Sequence, residues 1–300
     1  MKEVIETYEL GKKYGKTWGL RRASFKVKRG ELVVLAGPNG AGKTTTVRIL
    51  TTFLKPTKGE AYVLGYNTLK EYKEIRKRIA YLPQDYSIPR DLTPTSILKW
   101  NLVMRGLSLK EAKKRTEKWL KIMGLWNLRN KTCWNLSGGE RRRVAVAMTL
   151  ATEAEVIFLD EPTAGLDVEI KHTVWRTLRE VVSNGITILM TTHDMLEAQT
   201  IADRVIMINN GETILEGSPK ELIDKVPFEF KIVVERNELV HKLDNFSNFI
   251  DLGDRIIVYC KKYDDVLEIL NELGGKIKVY SISKVGLDDA YLYIIKRRCN

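Results

Sequence analysis

Apolar residues recur with two different periods along the first two thirds of the chain. Short apolar runs at Glu31–Ala36, Val156–Leu159 and Thr187–Thr191 predict strands that are buried in a parallel sheet. Helical spacing of apolar residues predicts one helix over Lys43–Leu54 and another over Val168–Val182. Strands that alternate with helices in this way predict an α/β fold.

Shorter segments predict further strands in the same part of the chain. Strands are expected at Glu3–Tyr8, Ala23–Lys28, Ala61–Leu64 and Ile79–Leu82. Two more, Asp203–Ile208 and Thr213–Glu216, are joined through Asn209-Asn210-Gly211. That connection predicts a β-hairpin, because Asn and Gly adopt the left-handed backbone angles that tight hairpin turns require.

The pattern is helical from about Ser96 to Ala151. Lys110–Met123 is charged and amphipathic, and Gly124 follows it as a residue that commonly ends helices. Another helix is expected over Ser137–Ala151. These helices predict a helical subdomain, over about residues 85–151, inserted between the strands of the sheet.

The chain changes character around Ser218-Pro219. Strands are expected at Phe228–Val234, Arg255–Cys260 and Lys276–Ser281, with helices at Asp264–Leu273 and Leu287–Lys296. This order predicts a small α+β domain over residues 223–300, separate from a larger domain over residues 1–222.

Composition narrows the class of protein. Hydrophobic residues make up 44% and charged residues 29% of the 300, as in ordinary globular proteins. The net charge of +12 favours an anionic partner such as a nucleotide, a nucleic acid or an anionic membrane face, although a basic surface without a special partner explains it equally well. Three cysteines without a Cys-x-x-Cys pair indicate neither a disulfide framework nor a zinc site and suit a reducing cytosol.

A glycine-rich loop follows the predicted strand Glu31–Ala36. Its residues are Gly37, Pro38, Asn39, Gly40, Ala41, Gly42, Lys43 and Thr44, followed by Thr45. Such a loop turns successive N–H groups onto phosphate oxygens at the positive end of a helix. Lys43 supplies a charge for the β- and γ-phosphates, and the Thr44 hydroxyl is suited to ligate Mg²⁺. The alternative is a chance match or a plain glycine-rich turn, but the expected strand before the loop and helix after it favour nucleotide binding.

Two carboxylates end the apolar run Val156–Leu159. Asp160 and Glu161 then lie at the carboxyl end of a strand, where ligands bind in open α/β sheets. Asp160 is suited to hold Mg²⁺ through water, and Glu161 to polarise an attacking water as general base. Without the upstream loop, the same residues are also typical of a strand followed by an acidic turn.

The segment Leu136–Glu140 combines a helix cap with two glycines. Ser137 is a good N-cap residue, and Ser137 with Glu140 forms a capping-box pattern. The cap does not explain Gly138 and Gly139, because glycines in the first turn destabilise a helix. They do allow a phosphate to approach the backbone N–H groups and the positive helix end, and we expect both functions together.

Taken with these motifs, the sequence resembles the nucleotide-binding subunit of ABC transporters over roughly residues 2–222. Leu136–Glu140 is similar to that family's signature motif, with Glu140 where Gln is more usual. The resemblance implies an ATPase with ATP and Mg²⁺ as ligands. It also implies a P-loop NTPase core with an antiparallel β subdomain and an inserted helical subdomain, to which the small C-terminal α+β domain is added.

The resemblance assigns roles to four further residues. Tyr14 corresponds to the aromatic that stacks on adenine, and Gln84 to the glutamine that contacts Mg²⁺ and the attacking water. Asp167 lies in the loop that crosses to a partner subunit, and His193 corresponds to the switch histidine on the γ-phosphate. Three of them also have a plainer interpretation: a strand-end aromatic for Tyr14, loop polarity for Gln84 and a core histidine for His193.

The same resemblance implies partners. ATP held by Gly37–Thr44 of one subunit would meet Ser137–Gly139 of another in a head-to-tail homodimer, and a separate membrane permease would dock on about Asp85–Ile122. The expected location is cytoplasmic, peripheral on the inner face of the cell membrane. Residues 223–300, through Gly286–Leu292, resemble the C-terminal extension of the multidrug and polyketide-antibiotic export branch.

Two other classes of protein compete with the exporter. One is a soluble ABC-type ATPase acting on nucleic acid or ribosomes, against which stand the single phosphate loop and the lack of sustained heptads. Arg141–Arg143 lie on the signature helix and are expected on a solvated or phosphate-facing surface, so no nucleic-acid partner is expected. The other class, an unrelated P-loop kinase or GTPase, leaves Ser137–Glu140 and His193 unexplained.

Overall fold

A computed structural model describes residues 2–236, 249–273 and 278–299, and the chain divides into two compact units. The first unit covers residues 1–218 and the second 219–300, whereas the sequence pattern placed the boundary between residues 222 and 223. The boundary lies earlier because a short helix, α8 (Pro219–Ile223), contacts the last helix of the second unit, α10 (Leu287–Cys299).

The first unit is built on one mixed sheet. Its strands are β1 (Glu3–Tyr14), β2 (Thr17–Lys28), β3 (Leu32–Ala36), β4 (Lys58–Val63), β5 (Tyr66–Asn67), β6 (Ile79–Leu82), β7 (Val156–Asp160), β8 (Thr187–Thr192), β9 (Arg204–Asn209) and β10 (Glu212–Gly217). Its α-helices are α1 (Lys43–Leu50), α2 (Tyr72–Arg78), α3 (Pro94–Met104), α4 (Leu109–Ile122), α5 (Gly138–Leu150), α6 (Val168–Ser183) and α7 (Met195–Ile201).

The strand order separates a parallel core from an antiparallel wing. The order is β5-β4-β1-β2-β10-β9-β3-β8-β7-β6. Strands β9, β3, β8, β7 and β6 are mutually parallel, while β5, β4, β1 and β2 pair antiparallel. The two parts meet where β10 pairs with β2 at Glu212 and Arg22. The predicted α/β core with an antiparallel β subdomain is confirmed.

The buried centre of the sheet positions the functional loops. Every residue of β3, β7 and β8 is buried, as their uninterrupted apolar runs predict. Because these strands are parallel, their carboxyl ends lie side by side, with Ala36 paired to Thr192 and Asp160 to Thr191. The loops that follow the three strands therefore meet at one edge of the sheet.

Several elements differ in length from their prediction. Strand β1 was expected to end at Tyr8 but continues to Tyr14, through register shifts that include one between Thr7 and Leu10. Glu9, inside that shift, has a φ of 49°, so the alternation of buried and exposed residues breaks there. Helix α1 was expected to reach Leu54 but ends at Leu50, because the chain turns at Thr52 with a φ of 64°.

Two predicted local structures are confirmed. Strands β9 and β10 form a hairpin with Asn209 paired to Glu212, and Asn210 and Gly211 have φ angles of 48° and 78°. Helix α4 ends at Ile122, and Gly124 follows with a φ of 64°.

The second unit is a small antiparallel sheet with helices. It contains β11 (Phe230–Glu235), β12 (Phe249–Asp251), β13 (Arg255–Cys260), α9 (Tyr263–Leu273) and β14 (Val279–Lys284), besides α8 and α10. The strand order is β12-β13-β11-β14. Strands β11 and β13 pack Ile232 and Val258 against Val266 and Ile269 of α9. Part of the strand expected over Lys276–Ser281 lies outside the described residues.

Candidate active site

The glycine-rich loop lies between β3 and α1, as predicted. Gly42 immediately precedes α1 with a φ of 104°, a left-handed angle that favours glycine. Gly37 passes so close to the hairpin that a Cβ atom there would lie 2.1 Å from the carbonyl oxygen of Ile208. Beside the loop is a cleft of about 340 Å³, lined by Gly19, Asn39, Gly40, Gly42, Lys43, Thr44, Thr45, Gln84 and Glu161.

Lys43 is a buried cation held by the loop itself. Its Nζ donates hydrogen bonds to the carbonyl oxygens of Gly37, at 2.8 Å, and Pro38, at 3.0 Å. The ammonium lies 3.8 Å from Glu161 Oε1. Burial lowers the pKa of Lys43, and the nearby carboxylates of Glu161 and Asp160 oppose that shift. The ammonium is therefore held at the floor of the cleft, with two neutral carbonyl partners that an anionic phosphate would outcompete.

The two carboxylate oxygens of Asp160 differ in their surroundings. One accepts hydrogen bonds from two hydroxyls, and the other has no hydrogen-bond partner among the described residues. Its Oδ1 accepts hydrogen bonds from Thr44 Oγ1, at 3.2 Å, and from Thr191 Oγ1, at 2.5 Å. Its Oδ2 is buried without a hydrogen-bond partner in the described part of the chain. Burial raises the pKa of this carboxyl, while the two hydroxyls lower it. A hydroxyl beside a buried carboxylate oxygen offers the hard oxygen ligands that Mg²⁺ prefers, so these residues fit the ion.

Three of the predicted site residues lie close to the carboxylate of Glu161. Its carboxylate lies 3.4 Å from Gln84 Nε2, 3.1 Å from His193 Nδ1 and 3.8 Å from Lys43 Nζ. The residue is buried and has a φ of 50°, a left-handed angle that is strained for a side chain of this size. Thr191 fixes it there, because the Glu161 N–H donates to Thr191 O and Thr191 Oγ1. Such strain at a carboxylate inside a cleft is typical of functional sites.

Tyr14 stands at the rim of the cleft. Its side chain is 47% exposed, and its Oη lies 3.4 Å from Thr45 Oγ1. The ring packs against Gly19, where a Cβ atom would lie 2.6 Å from Tyr14 Cε2. Gly19 therefore gives the ring its place beside the cleft. Gly19 was not among the residues predicted for the site, because its position within a strand gives no local signal.

The signature residues lie away from this chain's own cleft. Ser137 and Glu140 form the predicted capping box, with Glu140 N to Ser137 Oγ at 3.1 Å and Ser137 N to Glu140 Oε2 at 2.7 Å. A Cβ atom added at Gly138 would meet nothing within 4 Å. Gly138 lines a second cleft of about 240 Å³, with Tyr86, Ser87, Ile88, Arg90, Arg141 and Arg142. Asp167 is likewise outside the first cleft and caps α6 by accepting from Ile170 N at 2.9 Å.

Two residues contribute to the site in ways that the sequence analysis missed. Thr191 holds both Asp160 and the backbone of Glu161. Its signal is a hydroxyl residue near the carboxyl end of a strand whose centre, Ile188 to Met190, is apolar. Arg142 lines the second cleft beside Gly138, and its half-buried guanidinium also donates to the main-chain carbonyl oxygens of Asp160 and Glu161. Those bonds depend on tertiary packing, which no local pattern reveals.

Sequence comparison places this site in a known family. A family model described as "ABC transporter" matches residues 20–164. The "Daunorubicin resistance ATP-binding protein DrrA3" of Streptomyces coeruleorubidus is 38% identical over 293 residues, which is 94% of this chain and 93% of that protein. The "Doxorubicin resistance ATP-binding protein DrrA" of Mycobacterium tuberculosis strain H37Rv is 37% identical over 223 residues, covering 74% of this chain and 67% of that protein.

Comparison with solved structures points to the same family as the sequence comparison. A structure titled "Dimeric structure of a post-hydrolysis state of the ATP-binding cassette MJ0796 bound to ADP and Pi" is 29% identical with a TM-score of 0.66, over 71% of this chain and 98% of that chain. Among the described residues, no helix combines the length and apolar character needed to cross a membrane. The chain belongs to the ABC transporter family, in which it is an ATP-binding subunit that hydrolyses ATP.

Proposed function

We propose that this subunit hydrolyses ATP in a Mg²⁺-dependent composite site formed by two copies of the chain, and that it thereby drives a separate membrane permease for export. The observation that carries the proposal is the separation of the two motifs. Lys43, Gln84 and His193 converge on Glu161 at one cleft, while Ser137–Gly139 lie outside it. A second copy would bring its own Ser137–Gly139 to the exposed side of the nucleotide.

The phosphate-loop half binds and orients the triphosphate. Backbone N–H groups of Gly37–Thr44 and the Lys43 ammonium would hold the β- and γ-phosphates. Thr44 Oγ1, Asp160 and Gln84 would hold Mg²⁺, which when bound supplies charge neutralisation between the phosphates. Tyr14 would stack on adenine at the rim, since its half-exposed ring stands beside Thr45.

Glu161 is the proposed general base. It would accept a proton from a water whose oxygen attacks the γ-phosphorus, while the bond between that phosphorus and the bridging oxygen breaks. Gln84 and His193 both contact the carboxylate, so they would set its orientation. His193 has an exposed ring, which leaves it available to the γ-phosphate as well. Closure by a second copy would exclude bulk water and strengthen these interactions.

Export of a drug-like substrate is supported by the relatives' names. DrrA3 aligns with 94% of this chain, which includes the second unit as well as the cassette. The surface offered to a permease would lie in the predicted segment Asp85–Ile122, where Leu92, Trp100 and Met104 are exposed apolar residues. Docking there would hold the subunit on the inner face of the membrane.

Affinity purification from detergent-solubilised membranes of cells that make the chain tests the partner. We expect a polytopic membrane protein to be captured with the tagged chain. The double variant Trp100→Ser/Met104→Ser should lose that partner but keep its own ATP hydrolysis, while Tyr8→Ser, which changes another exposed ring, should keep both. Capture of RNA, DNA or ribosomes alone would overturn the exporter in favour of a soluble ABC-type ATPase.

A further inference from the structure

Arg142 joins the signature helix to the catalytic edge of the sheet. It lies in α5, two residues beyond the capping residue Glu140. Its Nε donates to Pro162 O at 3.1 Å, and its Nη2 donates to the carbonyl oxygens of Asp160, at 3.0 Å, and Glu161, at 2.5 Å. A guanidinium has five N–H donors in a rigid fork, so one side chain fixes three consecutive peptide groups.

The same guanidinium also reaches the segment that carries Gln84. Its Nη1 donates to Gln84 O at 3.3 Å. Arg142 therefore contacts the main chain of both residues that flank the proposed attacking water, Gln84 and Glu161. The acceptors are neutral carbonyls, so the bonds constrain the backbone rather than neutralise a side chain. Burial lowers the pKa of Arg142, but an arginine remains cationic, and hydrogen bonds from a charged donor are stronger than neutral ones.

The neighbouring arginines do not make this connection. Arg141 donates to Leu136 O, which immediately precedes its own helix cap. Arg143 donates to Met123 O at 3.2 Å, at the end of α4. Of these consecutive arginines, Arg142 is the one that bonds the strand end at Asp160 and Glu161.

We propose that Arg142 is a positioning residue that couples the two ATP sites of the dimer. By tying α5 to the backbone of Glu161, it makes the Ser137–Gly139 turn and the catalytic carboxylate of one subunit move together. The inference rests on the proposed function, in which that turn serves the partner's nucleotide and Glu161 serves the subunit's own. A change at one nucleotide would then be transmitted directly to the other site.

Single substitutions test the positioning role. Measured in EDTA, so that the proposed Mg²⁺ ligands Asp160 and Gln84 do not contribute, ATP binding to the isolated chain should be unchanged in Arg142→Ala, because Arg142 is not among the residues that line the phosphate-loop cleft. Arg142→Ala should lower kcat by up to roughly 10²-fold, the loss that a displacement of catalytic groups by about 1 Å can cause. Arg142→Lys keeps the charge but not the forked set of donors, so its kcat should lie between that of wild type and that of Arg142→Ala. Arg176→Ala, on the exposed face of α6, removes an equal charge and should have no effect.

Mixed dimers test the coupling. A Glu161→Gln chain, in large excess over a trace of active chain, places almost every active subunit in a mixed dimer with one working carboxylate. In the first mixture, a trace of Arg142→Ala meets an excess of Glu161→Gln, so the working carboxylate and the changed arginine lie in the same chain and the assay reports the variant's own site. In the second mixture, a trace of wild type meets an excess of the double variant Arg142→Ala/Glu161→Gln. The working carboxylate and the changed arginine then lie in different chains, and the assay reports the partner's site. We expect activity to fall by a similar factor in both mixtures, relative to wild type with Glu161→Gln.

Two results would overturn the coupling. If only the variant's own site loses activity, Arg142 positions Glu161 alone; if only the partner's site does, it serves the signature turn alone. Thermal unfolding and ATP binding are measured for each chain, and Arg142→Lys is put through the same mixtures in case Arg142→Ala does not fold. Failure of the proposed function gives a different result, since wild type itself would then form no ATP-dependent dimer.

Discussion

The two halves of the proposed ATP site differ in how complete they are within one chain. In the phosphate-loop half, Lys43, Asp160 and Glu161 are buried and contact one another or nearby hydroxyls and carbonyls. In the signature half, Ser137 is exposed and its side chain bonds only within its own cap among the described contacts, and the space beyond Gly138 is open. One half is assembled by folding, whereas the other would be completed by association.

The largest effect is expected from the assembled half. Glu161→Gln removes the proposed base but keeps the shape of the side chain, so ATP should still bind while turnover falls by roughly 10²–10⁴-fold. ATP should then trap a stable dimer, which light scattering would detect. Glu180→Gln, on the exposed face of α6, is the matched control. Near-normal hydrolysis by Glu161→Gln would assign the proton transfer to another group.

The signature half is tested by a change that the isolated chain should tolerate. Gly138→Ala adds a Cβ atom with nothing within 4 Å, and alanine is a better helix former by about 1 kcal/mol. The variant should therefore be slightly more stable to urea than wild type. If a second molecule approaches this turn, turnover should nevertheless fall by about tenfold or more, since misplaced groups cost up to roughly 10²-fold. Unchanged turnover would remove Gly138 from the interface and weaken the contrast between the halves.

The rim of the assembled half should influence affinity more than chemistry. Tyr14→Ala removes the ring that we propose stacks on adenine, and stacking of a nucleic-acid base on an aromatic ring contributes about 1–3 kcal/mol. We expect Kd for ATP to rise about tenfold with little change in kcat, measured by calorimetry and steady-state hydrolysis. Tyr14→Phe should restore affinity, because the ring rather than the hydroxyl is required. An unchanged Kd in Tyr14→Ala would place the adenine elsewhere.

The smallest effect concerns Asp160 in the metal-free chain. Burial raises its pKa in the folded state, so the folded chain holds a proton that the unfolded chain releases. In EDTA, this group should make the chain less stable as the pH rises from the ordinary carboxyl range through the raised pKa. Mg²⁺ should offset that loss above this range, since it favours the carboxylate. Thermal unfolding of wild type and Asp160→Asn across pH checks this, and an equal pH dependence would exclude Asp160 as its source.

The features that were predicted well from the sequence, in both halves of the site, are those whose signals are local. The phosphate loop, the buried strands and the capping box of Ser137 each depend on residues within a few positions of one another. The contacts of Thr191 and Arg142 could not be predicted, because they join segments about 20 to 60 residues apart through the folded sheet. For the same reason, the bulge at Glu9 hid the true length of β1. The roles of the site residues stay predictions until the variants are measured.

The junction between the antiparallel wing and the parallel core has a consequence for local stability. Strand β10 joins them at the pair Glu212 and Arg22, with Arg21 and Arg22 N–H groups bonded to Gly211 O. The buried strand β3, in contrast, is paired along its length on both sides. Segments linked by few backbone bonds open more readily and exchange their amide hydrogens sooner. The amides of Arg21 and Arg22 should therefore exchange long before those of β3, so that this junction is the place where backbone pairing between the wing and the core first opens.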